Sequence, residues 1–145
     1  MKPRGRTLAL DLGGVRVGVA IDDDLGLLAH PRGVLDGRDK TRLLAELRRL
    51  VEVEGVRHIV IGLPLDMKGG EGESARKARA FAQRIADATG CAIELWDERL
   101  STVQARRSLT DSDVRGAKAK ARIDEASACV LLQAWLEGRG SRRRS

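Results

Sequence analysis

The chain has 145 residues, 42% of them hydrophobic, and its 27 Lys and Arg against 21 Asp and Glu give a formal net charge of +6. That length suits one domain with a real core. No apolar run is long enough to span a bilayer, the opening "MKPRGR" leads into a strand-like run and not a signal sequence, and the carboxyl end carries no lipidation signal, so the expectation is a soluble cytoplasmic protein with no membrane partner. Cys91 and Cys129 lack metal-ligand spacing and read as small core residues, and neither His30 nor His58 has a zinc partner at the usual spacing. With only Phe81, Trp96 and Trp135 as aromatic residues, a base-stacking platform is not expected.

The first segment, "LALDLGGVRVGVAID" over 8–22, is an apolar run with Asp11 near its centre. It breaks at the turn signal Gly13-Gly14, and the half beginning at Arg16 can return as an antiparallel partner. A short third strand around "RGVLD", after Pro31, completes a meander that ends at Asp36-Gly37. Leu43, Leu44, Leu47, Leu50 and Val51 then recur at helical spacing, with Asp39 as cap and Gly55 as stop. "HIVIGLP" is a continuous β-branched run, as expected of a strand covered on both faces, and Pro64 ends it. A glycine-rich loop, "LDMKGGEG", precedes a helix, "ESARKARAFAQRIADAT", that stops at Gly90.

"CAIELWDE" predicts another buried strand, and "LSTVQARRSL" a short helix. Residues 110–122 lack large apolar side chains except Val114 and predict a mobile basic loop. "DEASACVLLQAWLEG" predicts a final helix with Asp124 as N-cap and Gly138 as stop. Antiparallel strands followed by alternating helices and strands imply one α/β domain with a five-stranded mixed sheet, order 3-2-1-4-5, strand 2 antiparallel. A basic arm, residues 1–6, and an Arg-rich tail expected to be disordered, residues 138–145, flank it.

The charge is concentrated. Seven basic side chains sit in those two termini, and setting them aside leaves 20 basic against 21 acidic residues. Within the body, residues 99–122 hold seven basic side chains against Asp111 and Asp113. Such blocks suit phosphate backbones, although a solvated surface and a disordered tail look the same in sequence.

Three acids stand out. Asp11 lies on the strand placed at the sheet centre, where an ionised carboxylate is costly unless it is paired or bound to metal. The plainer alternative is a cap on the Gly13-Gly14 turn. "WDERLST" puts Asp97, Glu98 and Arg99 at the carboxyl end of the last strand, where open α/β sheets place their ligands; a strand-end salt bridge to Arg99 is the alternative. Asp124 taken alone is an N-cap. In the proposed topology Asp11, Glu98 and Asp124 can converge as an oxygen-only cluster, which suits Mg²⁺ or Mn²⁺ and not zinc. Two such ions would activate water and stabilise the leaving oxygen in phosphodiester hydrolysis.

With these motifs in this order, "DLGGVRVGVA", "IVIGLPLDMKGGEG", "DERLST" and "RIDEASACVLLQAWL", the chain resembles the YqgF/RuvX family of RNase H-like nucleases from about residue 7 to residue 137. The resemblance implies an RNase H-like fold and a metal-dependent nuclease. Its substrate would be either the 5′ end of precursor 16S ribosomal RNA or the Holliday junction, and a resolvase making paired cuts would act as a homodimer. The family's acidic triad falls on Asp11, Glu98 and Asp124. Arg16, Arg99, Lys118, Lys120 and Arg122 are the candidate nucleic-acid contacts.

The chain departs from the family pattern in having Val15-Arg16 for the usual Lys-Arg, Ser101-Thr102 for a threonine pair, and Asp66 where asparagine is frequent. Two other classes remain open. "DLGG" also resembles the phosphate loop of sugar kinases and actin-like ATPases, but those close two lobes over a nucleotide and would leave "DERLST" unexplained. A non-catalytic nucleic-acid-binding assembly factor would have no need of all three acids.

Overall fold

The computed structural model describes residues 5–13, 15–63, 72–97 and 117–144. In chain order they form β1 (Arg6–Gly13), β2 (Arg16–Asp22), β3 (Ala29–Asp36), α1 (Lys40–Glu54), β4 (Val56–Leu63), α2 (Glu73–Thr89), β5 (Ala92–Asp97) and α3 (Ala117–Arg144). The five strands make one sheet in the order β3-β2-β1-β4-β5. β2 runs antiparallel to both neighbours, while β1, β4 and β5 are parallel. This is the topology expected from the sequence.

Side-chain alternation divides the core in two. Leu8, Leu10, Val17, Val19, Ile21, Ile59 and Ile61 point to one face, where α1 and α2 bring Leu43, Leu47, Phe81 and Ile85. Ala9, Ala20 and Val60 point to the other, where α3 brings Ala128, Leu131, Leu132, Trp135 and Leu136. β4 is buried on both faces, which explains its unbroken β-branched run. The first two helices end as the sequence signals. Asp39 accepts a hydrogen bond from the Arg42 amide, and Gly55 takes the left-handed conformation (φ 69°) that closes α1. Among the described residues no helix is long and apolar enough to cross a membrane.

Several elements differ from expectation. β3 begins at Ala29, before Pro31 and not after it. As an edge strand it does not need every amide, and a pairing irregularity between Val19 and Ala20 takes up the proline. β5 is only half-buried, because it forms the opposite edge of the sheet.

The largest difference is α3. It starts at Ala117, so residues 117–122 are helical and not loop, and Asp124 lies inside the helix and not at its N-cap. The run Ala117-Lys118-Ala119-Lys120-Ala121 consists of strong helix formers and extends the helix upstream. At the other end the backbone stays helical through Gly138 to Arg144, across the segment expected to be disordered. The expected helix over 100–109 and the rest of the basic loop, 110–116, lie outside the described residues.

α3 is fastened near both sheet edges. The Gln133 amide donates to the Leu27 carbonyl and accepts from the Ala29 amide. The Trp135 indole Nε1 donates to Glu94 Oε2 on β5 at 2.6 Å. Hydrogen bonds to charged groups contribute about 2 kcal/mol. Trp135→Phe should therefore lower Tm by about 5 °C, read by differential scanning calorimetry. An unchanged Tm would show that this bond does not anchor the helix.

Both cysteines are free thiols. Cys91 is buried just before β5 and its Sγ donates to the Val56 carbonyl, whereas burial, helped by Glu125, pushes the Cys129 thiol pKa up.

Candidate active site

Asp11 is the sixth residue of β1 and is fully buried. Alternation places it on the same face as Ala9, beneath α3. Its Cα pairs across the ladder with Gly18 of β2. Gly18 is where α3 comes down on the sheet: a Cβ there would lie 2.0 Å from the Asp124 carbonyl oxygen. Only a residue without a side chain fits beneath that turn. One glycine thus faces Asp11 along the sheet and carries the Asp124 backbone above it.

The Asp124 side chain is 5% exposed. It lies one turn before Ala128 on the stripe that continues through Leu131 and Trp135, so the apolar packing of α3 turns it toward the sheet. Arg16, two residues before Gly18 on the same face of β2, donates from Nε to Asp124 Oδ2 at 2.7 Å. Arg16 is therefore an ion-pair partner of the third acid, a role the sequence reading had not given it. β5 ends at Asp97, whose Cα pairs with Leu63. Glu98 and Arg99 follow immediately and lie outside the described residues. The backbone of Lys118, Lys120 and Arg122 is in the first turns of α3; their side chains lie outside the description.

Asp22, a buried acid that the sequence reading passed over, is at the far end of β2 and accepts a hydrogen bond from the Thr7 amide at 3.0 Å. It ties β1 to β2 away from the Asp11 end. Among the described residues no three His, Cys, Asp or Glu side chains form a metal-binding group. Asp11 and Asp124 nevertheless supply buried carboxylates on one face, an all-oxygen donor set of the kind that hard divalent cations take.

Gly18 and the Arg16–Asp124 pair are the features the sequence reading missed. Their signals were present: a glycine inside an otherwise buried strand marks a close approach, and Asp124 is at i−4 and i−7 from Ala128 and Leu131.

A family model described as RuvX, Holliday junction resolvase, matches residues 5–138. The chain belongs to the RuvX family. A protein of Myxococcus xanthus named "Putative pre-16S rRNA nuclease" is 46% identical over 135 residues, covering 91% of this chain and 87% of its own length. Relatives of the same name from Anaeromyxobacter (44% identical, covering 92% of this chain and 98% of theirs) and Streptomyces avermitilis (44%, covering 92% and 86%) extend the match. Among solved structures, Thermus thermophilus RuvC in complex with a Holliday junction substrate superposes with a TM-score of 0.58, covering 94% of this chain and 96% of RuvC at 10% identity. At that identity the likeness speaks for the fold alone, and it places this RuvX-family chain in the RNase H-like class.

Proposed function

We propose that this RuvX-family protein is a divalent-metal-dependent nuclease that hydrolyses phosphodiester bonds in structured nucleic acid, with Asp11, Glu98 and Asp124 as its metal ligands. The observation that carries this reading is the burial of two acids on one side of the sheet, Asp11 opposite Gly18 on the ladder and Asp124 with its backbone seated above Gly18. A fold does not bury two acids, one on its central strand and one on the helix above it, cheaply, and their all-oxygen donor set suits a divalent cation. Glu98, next in the chain to the last residue of β5, would complete the set.

When bound, two Mg²⁺ or Mn²⁺ ions would supply an activated water and stabilisation of the leaving oxygen. The protein's own part is positional. β1 holds Asp11 rigidly at the sheet centre, and α3, seated on Gly18, fixes the height of Asp124. Arg99, Lys118, Lys120 and Arg122 are proposed to meet the substrate backbone around them, contacts that position the scissile phosphate without reading bases. The names of the relatives support precursor ribosomal RNA as substrate, and the family description supports the four-way junction. A junction cut on two strands would engage a homodimer.

The test is cleavage of a four-way DNA junction and of a 5′-extended 16S ribosomal RNA precursor, each with Mg²⁺ or Mn²⁺ and no nucleotide. Cleavage of at least one substrate, abolished by EDTA, is expected. Tight ATP binding with phosphoryl transfer to a small molecule, and no cleavage of either nucleic acid, would overturn the reading.

A further inference from the structure

The contact between Arg16 and Asp124 joins a half-exposed cation to a buried anion. The Arg16 side chain is 29% exposed and the Asp124 side chain 5%. A carboxylate that far from water needs a counter-charge, and a guanidinium supplies one at every accessible pH. Asp124 cannot relieve the demand by withdrawing, because its backbone is pressed against Gly18. Arg16 leaves β2 on the same face, where its partners across the ladders are Gly13 and Asp36, and reaches the carboxylate at Oδ2 through Nε. The acid expected to receive metal is thus already held by a protein cation.

We propose that Arg16 is a positioning residue that stands in for the metal. In the metal-free protein its guanidinium holds the Asp124 carboxylate in place through Oδ2, and it yields Oδ2 when a divalent cation binds. This rests on the metal-ligand reading of Asp124 given above. Two consequences separate it from an ordinary structural ion pair. Losing Arg16 costs stability mainly in the absence of metal, and it strengthens metal binding because a competing cation is gone.

The experiment compares thermal melts and Mn²⁺ titration calorimetry for the wild type, Arg16→Gln, Arg16→Lys and Asp124→Asn, all without nucleic acid. Without metal, Arg16→Gln should melt about 5 °C below wild type. Saturating Mn²⁺ should close most of that gap, and the variant should bind Mn²⁺ about 5-fold more tightly. Arg16→Lys, which keeps a charge but not the planar fork, should fall between the two. If Arg16→Gln does not fold, the Mn²⁺-induced shift of Arg16→Lys reads the same quantity: larger than wild type supports the proposal, equal overturns it.

An equal loss of Tm with and without Mn²⁺ would reduce the pair to a structural one, and weaker Mn²⁺ binding would mean that Arg16 assists the metal and does not yield to it. Either result overturns the proposal. If the wild type responds to Mn²⁺, Asp124→Asn does not, and Arg16→Gln tracks the wild type, only the role of Arg16 falls. A wild type that does not respond to Mn²⁺ removes the metal site and this proposal together.

Discussion

Asp11→Asn and Asp124→Asn should each lower cleavage at saturating Mg²⁺ by more than about 100-fold, the upper end of what losing even an outer-shell partner of a metal ligand costs. Glu98→Gln should do the same. The amide matches the carboxylate in volume, so the packing of β1 and α3 is kept while a charged oxygen donor is lost. Asp11 is fully buried, and an amide of the same volume keeps its packing, so metal-free Asp11→Asn should stay folded. Asp124→Asn deprives Arg16 of its counter-charge and should melt lower. Single-turnover cleavage beside thermal melts checks both statements. Near-wild-type cleavage by Asp124→Asn would leave that residue only its ion pair with Arg16.

Gly18→Ala carries the second large effect. Its new methyl group would sit 2.0 Å from the Asp124 carbonyl oxygen and 2.5 Å from the carbonyl carbon. Both are backbone atoms inside a helix and cannot rotate away, so α3 must lift from β2 or the strand must bend. Overpacking of this kind costs about 3 kcal/mol or more, which should appear as a Tm lower by roughly 6–12 °C. Because the displaced atoms belong to Asp124, cleavage should fall even at temperatures where the variant is fully folded. Wild-type activity in folded Gly18→Ala would show that the height of Asp124 above the sheet does not matter to the chemistry.

Much of this arrangement was legible in the sequence, for definite physical reasons. The meander and its crossovers follow from the Gly13-Gly14 break, the leucine spacing of α1 and the β-branched run of β4. Asp11 declared itself as a lone acid within an apolar strand. Asp124 was legible as an acid but not in its setting. The N-cap preference of aspartate competed with the helix-forming run from Ala117 to Ala121, and the run won. The stripe through Ala128, Leu131 and Trp135 shows that burial, not capping, orients the side chain. The pairing with Arg16 spans 108 residues, a separation at which no local pattern speaks. The half-exposure of β5 likewise depends on strand order, because an apolar run looks alike at the centre and at the edge of a sheet. Glu98 remains an assignment from its motif, outside the described residues.

The central claim, that Asp11 and Asp124 hold a divalent cation between β1 and α3, is tested most directly by anomalous diffraction from crystals of the whole protein soaked in Mn²⁺. An anomalous peak about 2.1 Å from a carboxylate oxygen of each residue, with Arg16 Nε no longer on Asp124 Oδ2, is the expected result. A protein that cleaves in Mn²⁺ but shows its peak away from both acids, with the Arg16–Asp124 pair intact, would contradict it.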